Sequence, residues 1–107
     1  MKEKKISIFF TKRQRELILK YGLPFDNIRR QLQENRNKRG NVKISDGAYW
    51  WEQMAGDLAT SLNEDDNVPN DGTYEQVEEI YEIVEMELRH LREDKETIKG
   101  KVRKIII

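Results

Sequence analysis

The chain has no cysteine among its 107 residues, only two prolines and a single histidine. Without cysteine there is no disulfide framework, no thiolate nucleophile and no cysteine metal site. No apolar run approaches the roughly 18 residues that a membrane-spanning helix needs. The apolar stretch near the N-terminus, Ile6 to Phe10, is too short for a secretory signal. These absences predict a cytoplasmic protein that does not enter a membrane.

Basic and acidic residues are concentrated in different segments of the chain, although its formal net charge is zero. Residues 1–43 contain 13 Lys and Arg against 4 Asp and Glu, and residues 44–98 contain 3 against 16. Residues 99–107 add 4 basic residues and no acidic one. Charges separated in this way either neutralise each other within a small domain or attract different partners. We expect charge pairing within the molecule or toward a partner.

Apolar residues recur at helical spacing over most of the length, which predicts a mostly α protein. At this length we expect a single domain, 1–107, built as a small four-helix domain. It divides by charge into a basic N-terminal part (1–43), an acidic helical part (44–98) and a short basic tail (99–107).

The basic part is predicted to contain one strand and two helices. Residues 5–10 are β-branched and aromatic, which is typical of a short strand. Thr11 followed by Gln14 is the capping-box pattern of a helix start, and Gly22 is a natural helix end. A second, weaker amphipathic helix is predicted over 25–36.

The acidic part is predicted to form two longer amphipathic helices. The first follows an exposed basic loop over 35–42 and is capped by Ser45 or Asp46. Its apolar face consists of Ile44, Ala48, Trp51, Ala55, Leu58 and Leu62. The second helix is predicted over 73–98, with Gly100 as its end.

The tail after Gly100 is basic and then β-branched, and it has two interpretations. It pairs with the Ile6–Phe10 strand in a short two-stranded β patch that brings the termini together, or it is a frayed end. Its β-branched residues slightly favour pairing.

The most specific local motif runs from Phe10 to Ile18, with the sequence Phe-Thr-Lys-Arg-Gln-Arg-Glu-Leu-Ile. It resembles the Leu-Thr-x-Arg-x-Arg-Glu-Val-Leu opening of the helix-turn-helix domains in many bacterial response regulators and sigma factors. Residues 25–32 fall where the next helix of that motif lies. The resemblance ends there, because 33–42 is a predicted loop where the recognition helix should follow. It implies a helix-turn-helix-like nucleic-acid-binding regulator that uses the basic region 12–39.

In that alternative, the basic side chains neutralise phosphates. The candidates are Arg13, Arg15, Arg29, Arg30, Arg36, Lys38 and Arg39. The acidic part repels nucleic acid unless it faces away. The favoured interpretation is instead that the basic helices pack beside the acidic ones and the charges pair.

Two adjacent tryptophans point about 100° apart on a helix, so they cannot both face the same core. Trp51 shares the apolar face and is predicted to be a core residue. Trp50 aligns with Met54 and lies either at the core edge or in an interface. An exposed tryptophan beside a methionine is typical of a protein-binding hot spot.

The leading hypothesis is therefore a small non-enzymatic protein-interaction or regulatory module that binds a protein partner or a second copy of itself. Its candidate contact residues are Trp50, Met54, Val77, Tyr81, Val84 and Leu88, the last four along the apolar seam of the fourth helix. That seam would make a dimer. A third alternative is an acidic helix that mimics nucleic acid to block a basic site.

No catalytic, cofactor or metal site is predicted. The serines lie in no nucleophile motif, and no phosphate loop or dinucleotide fingerprint occurs. The stretch Asn67–Glu78 resembles a calcium loop only in part, because Pro69 stands at its third position. Glu87 and His90 have the spacing of a di-iron motif that such sites need twice. We expect no enzyme, no cofactor and no metal.

Overall fold

A computed structural model describes residues 5–64, 68, 69 and 71–106, with side chains as far as residue 91. Four helices and two strands make up this part of the chain. The elements are strand β1 (Lys5–Phe10), helix α1 (Lys12–Tyr21), helix α2 (Asp26–Glu34), strand β2 (Val42–Gly47), helix α3 (Ala48–Asn63) and helix α4 (Thr73–Ile106). The predictions of a mostly helical chain, of four helices and of a small two-stranded sheet are confirmed.

The two strands form an antiparallel ribbon in which β1 pairs with β2 along its whole length. Lys5 lies opposite Gly47, and Phe10 lies opposite Val42. The predicted pairing between the termini is therefore wrong. The partner strand was expected to be partly a loop and partly a helix cap. Its β-branched Val42 and Ile44 alternate with polar residues, which suits a half-buried strand.

The tail has a different structure from either interpretation, since residues 101–106 continue α4. Gly100 does not end that helix. A glycine inside a helix costs roughly 1 kcal/mol relative to alanine, but it keeps every backbone hydrogen bond. Glycine is therefore a weaker stop signal than proline, and the flanking residues sustain the helix through it.

The start of α1 follows directly from its sequence. The Thr11 side-chain oxygen accepts a hydrogen bond from the Gln14 backbone N–H at 3.1 Å, and the Gln14 side chain accepts one from the Thr11 N–H at 2.9 Å. At the other end, the Gly22 N–H donates to the Ile18 carbonyl at 2.8 Å. The capping box of Thr11 and Gln14 thus turns the chain from β1 into α1.

One hydrophobic core lies between the inner face of the ribbon and the helices. The inward side chains of β1, at Ile6, Ile8 and Phe10, are buried. Trp51 is a core residue, as predicted: it is fully buried, and its indole N–H donates to the Ile6 carbonyl at 3.0 Å. Its ring lies 6.1 Å from that of Phe10. Trp51 thereby joins α3 to the ribbon.

The helices pack in two groups around that core. Helix α4 packs mainly along α3 and also contacts α1 and β1, whereas α2 packs against β2 and α1. Helices α2 and α4 are thus separated by α1 and the ribbon. Among the described residues, no helix combines the length and apolar composition that crossing a bilayer would require.

Candidate functional site

The structure divides the six predicted protein-contact residues into buried and exposed positions. Met54, Val77, Val84 and Leu88 are buried, and Tyr81 is partly buried. They pack in the core, so the seam expected to make a dimer is filled by the molecule's own residues. An apolar helix face predicts burial but does not tell which element covers it. Of the six, Trp50 is the one on the surface.

Trp50 belongs to a group that we call the aromatic patch, which consists of the contacting rings of Phe25, Tyr49 and Trp50 and of the exposed Leu23 two residues before Phe25. The ring centroids of Phe25 and Trp50 are 5.1 Å apart with the planes tilted by 52°. Tyr49 meets Trp50 edge-to-face at 4.8 Å and 83°. Trp50 is 37% exposed, and the other three side chains are at least half exposed. Rings in these geometries stabilise each other while they still face solvent.

The loop between α1 and α2 brings half of the patch to α3. Ser61 on α3 donates to the Tyr21 carbonyl at 3.0 Å, which fastens the end of α1 to α3. Beside it, a Cβ added to Gly22 would lie 3.2 Å from the Met54 Cγ and 2.9 Å from a carbonyl oxygen of α1. Only glycine allows this close approach. Phe25 at the N-terminus of α2 then reaches Trp50.

Sequence reasoning selected Trp50 and missed its three neighbours. A signal for two of them was present, because Leu23 and Phe25 are large apolar residues in a loop between a helix end and a helix start. Loops there are usually polar. Tyr49 precedes the two tryptophans and was not singled out from them.

Leu23 has a left-handed backbone conformation, with φ 42°. This conformation costs a residue with a Cβ about 1–2 kcal/mol. The following Pro24 further restricts the backbone of the residue before it. The Leu23 side chain is 65% exposed, so burial within the described residues does not offset the cost.

Arg15 differs from the other predicted phosphate-contacting residues because it is 1% exposed. Its guanidinium donates to the carbonyls of Phe10 at 2.7 Å and Gly40 at 2.8 Å, and also to that of Lys38. Its Nε atom is buried without a partner. None of the described carboxylates lies within 4 Å of it. Arg15 therefore anchors the loop before β2 and cannot contact a phosphate in this fold.

The other six basic candidates differ in how closely they approach the acidic part. Arg13 donates from Nε to the Gln76 side chain at 3.2 Å, a contact between α1 and α4. Arg29, Arg30, Arg36, Lys38 and Arg39 are exposed on α2 and the loop that follows it. In place of the recognition helix that the helix-turn-helix resemblance implies, the chain forms β2.

No ion pair within 4 Å joins the basic helices to the acidic ones among the described residues, although the charge of Arg13 on α1 helps to lower the pKa of the Asp71 carboxyl before α4. The ion pairs there are Arg13–Glu16, Arg29–Asp26 and Arg30–Glu34, each three or four residues apart on one helix. Such pairs on an exposed helix contribute little to stability. Helix α2, which carries two of these three pairs, packs against β2 and α1, whereas α4 packs mainly along α3.

A second exposed surface, which we call the ribbon face, is the outer side of the β1–β2 ribbon. It consists of Lys5, Ser7 and Phe9 on β1 and Lys43 and Ser45 on β2. Phe9 lies opposite Lys43 and is 61% exposed. Ser7 lies opposite Ser45, and their hydroxyl oxygens are 2.6 Å apart in a hydrogen bond.

The β2 edge of this face is closed by α2. The Gln31 side chain donates to the Ser45 carbonyl at 2.8 Å and accepts from the Ser45 N–H at 3.0 Å. Asn27 also donates to that carbonyl, at 3.3 Å, and accepts from Arg30 at 2.8 Å. Unpaired strand edges invite pairing with other chains. Here Gln31 protects the edge, and Asn27 holds Arg30 beside it.

The described residues contain no group of three or more His, Cys, Asp and Glu placed to hold a metal ion. The pKa perturbation resolved among them concerns Asp71, which lies before α4 and accepts a hydrogen bond from the Thr73 N–H at 3.2 Å. Hydrogen bonds from the Thr73 side chain and backbone lower the pKa of the Asp71 carboxyl. This residue begins a helix and belongs to neither surface.

Comparison with known proteins found no family model that matches the chain, no matching curated protein and no matching solved structure. Function is therefore inferred from the geometry of the two surfaces.

Proposed function

We propose that the protein is a small interaction module that binds a protein partner through the aromatic patch. The observation that carries this proposal is the contact among three exposed aromatic rings, in which Trp50 packs against both Phe25 and Tyr49. Single exposed apolar residues are common on protein surfaces, whereas a contiguous group is typical of an interaction site. Tryptophan and tyrosine are also enriched among the residues that dominate binding energy.

The patch is arranged before any partner arrives. Trp50 packs against both Phe25 and Tyr49, and both contacts restrict its rotamers. The next residue, Trp51, fixes this end of α3 in the core. Binding through such a surface loses little side-chain entropy, which favours affinity.

The conformation of Leu23 supports the same proposal. Its left-handed backbone is costly, and its side chain is mostly exposed. Glycine or asparagine would adopt this conformation more readily. A strained residue that displays a large apolar side chain beside an aromatic cluster suits a role in contact with a partner.

Photocrosslinking in the cells that make the protein tests the proposal. Phe25 is replaced by p-benzoylphenylalanine, and the crosslinked peptides are identified by mass spectrometry. We expect one discrete crosslinked protein from this position and the same protein from Tyr49. The matched control is Met86, an exposed apolar residue on α4 outside the patch, from which that product should be absent.

The identity of the product distinguishes two forms of the proposal. A peptide from a different protein identifies a separate partner, and a peptide from the same chain identifies self-association through the patch. The absence of a crosslinked protein from both patch positions, or equal yield from Met86, would contradict the proposed function.

A further inference from the structure

The ribbon face takes no part in the aromatic patch, and its chemistry is different. We propose that it binds a short segment of single-stranded nucleic acid, with a base stacked on Phe9 and phosphates held by the cations around that ring. This second activity is independent of the proposed protein partner.

Phe9 is the aromatic platform of this face. Its neighbours along the strand, Ile8 and Phe10, point into the core, so Phe9 points outward and is 61% exposed. Across the ribbon it faces Lys43. Every nucleic-acid base has a flat π-face, so an exposed ring beside a cation binds single strands with little dependence on sequence.

Cations lie on the ribbon face and in the segments next to it. Lys5 and Lys43 lie on the ribbon itself, and Lys38 and Arg39 lie in the loop that leads into β2. None of the described carboxylates lies within 4 Å of these four residues. Arg30 stands at the β2 edge, accompanied by Glu34 at 3.9 Å. The face therefore offers positive charge that the described residues leave largely unpaired, as a phosphate backbone requires.

Buried Arg15 holds the cationic loop in place. It donates to the carbonyls of Lys38 and Gly40, and the Lys38 N–H donates to the Asn35 carbonyl at 3.1 Å. Gly40 allows the turn into β2 because its φ is 78°. The loop is thus ordered by contacts from within the chain, and its cations need no further ordering when a ligand binds.

The shape of the face favours a single strand over a duplex. A bare two-stranded ribbon fits the major groove of DNA, which is about 12 Å wide. Here α2 lies against the β2 edge through Asn27 and Gln31, so the ribbon and the helix together are too broad to enter that groove. The buried side chains of α4 belong to the same core as the inward side chains of the ribbon, and the ribbon face lies on the other side of the sheet from that core.

Fluorescence anisotropy with the full chain tests this inference. The probes are labelled oligothymidine and oligouridine of about ten nucleotides, within the site size of single-strand binding surfaces. We expect binding at about 50 mM salt that weakens roughly tenfold to fiftyfold at about 200 mM, as three or four phosphate contacts imply. Phe9→Ala should weaken binding about fivefold to a hundredfold.

One further variant tests the contribution of a cation, and three control variants should leave the affinity unchanged. Lys43→Gln should weaken binding and reduce the salt slope by about 0.7, the share of one phosphate on a single strand. Met86→Ala and Arg89→Gln alter an exposed apolar and an exposed basic residue on α4, away from the face, and should leave affinity unchanged. Trp50→Ala should also leave it unchanged.

Several results would overturn the proposal. No binding of either oligonucleotide at about 50 mM salt would do so. So would binding by a Phe9→Ala variant, folded according to its urea midpoint, that is as tight as that of the original chain. A duplex of the same length that binds as tightly and is insensitive to Phe9→Ala would show general electrostatic attraction in place of the proposed site. Binding of an acidic peptide to the face, without binding of either oligonucleotide, would assign it to protein recognition.

Discussion

The aromatic patch and the ribbon face both display large apolar side chains to solvent, but in opposite surroundings. In the patch the rings pack together, with Trp50 in contact with both Phe25 and Tyr49. On the ribbon face Phe9 stands alone, opposite Lys43. A group of touching rings covers an area from which a protein partner can exclude water. An isolated ring among cations suits a base and its phosphates.

The two surfaces are also held in place by different kinds of contact. The ribbon face depends on hydrogen bonds from the side chains of Arg15 and Gln31 to backbone groups. The patch depends on close packing, with Gly22 held against Met54. Substitutions can therefore disturb one surface and spare the other, which makes the comparison testable.

The largest expected effect follows from removing the support of the ribbon face. Arg15→Ala removes the donor to the buried Phe10 carbonyl and to the part-buried Gly40 carbonyl and opens a cavity, so the free energy of unfolding should fall by about 2–4 kcal/mol. Arg15→Lys should recover only part of this, because an ammonium group lacks the planar fork of donors. Urea unfolding measures both variants.

The control for Arg15 is Arg29→Ala. Arg29 is exposed and pairs with Asp26 on its own helix, so its loss should change the free energy of unfolding by no more than about 0.5 kcal/mol. If Arg15→Ala were as stable as Arg29→Ala, the carbonyl contacts would not anchor the loop.

The next effect concerns the support of the patch. Gly22→Ala places a methyl group 2.9 Å from a backbone oxygen and 3.2 Å from the Met54 side chain. The backbone at the end of α1 must then shift away from the Ile18 carbonyl and the Met54 side chain must give way, which should cost about 1–3 kcal/mol of stability and weaken crosslinking from Phe25. Binding to the ribbon face should be unaffected.

Gly56→Ala is the matched control, because a Cβ at Gly56 meets no atom within 4 Å. Alanine is the better helix former, so this variant should gain about 0.5–1 kcal/mol. Thermal unfolding of both variants gives the comparison. A Gly22→Ala variant that is stabilised like Gly56→Ala would show that the loop does not press on α3.

A smaller effect is expected at Leu23, where one substitution should change stability and binding in opposite directions. Leu23→Asn keeps the left-handed backbone at lower cost, so stability should rise by about 0.5–1 kcal/mol while crosslinking from Phe25 declines. The two readouts are the urea midpoint and the crosslink yield. An increase in both would remove Leu23 from the proposed contact.

The smallest effect lies outside both surfaces, at the start of α4. The pKa of Asp71 is lowered in the folded protein by the hydrogen bonds from Thr73, so the ionised carboxylate stabilises the fold at neutral pH. This contribution is lost as pH falls below about 4 through the folded pKa. Asp71→Ala should therefore have a slightly lower Tm than the original chain at pH 7, and the difference should shrink as the pH falls below about 4. A difference that does not shrink at low pH would contradict the capping role.

Apolar spacing predicted the features that depend on one element at a time. The burial of Trp51, Ala55 and Leu58 on α3 follows from their shared helix face, and the start of α1 follows from Thr11 and Gln14. These inferences are local, since the side-chain period and the cap both lie within a single element.

Features that depend on distant partners were not predicted. Ser45 reads as a helix cap in isolation, and it becomes a strand residue only because β1 and Gln31 supply its backbone partners. Arg15 has the spacing of a surface arginine, and its burial depends on carbonyls of residues 23 and 25 positions further along the chain. The same limit explains why the pairing of Phe25 with Trp50 was missed.

The most direct measurement is the yield of crosslinking from p-benzoylphenylalanine at position 25 in the original chain and in the Trp50→Ala and Phe9→Ala variants. Trp50→Ala should lower the yield about tenfold or more, while its urea midpoint shows an intact fold. Phe9→Ala should leave the yield unchanged. An unfolded Trp50→Ala protein would show that this tryptophan is a core residue, and an undiminished yield from a folded one would show that the patch does not bind the partner.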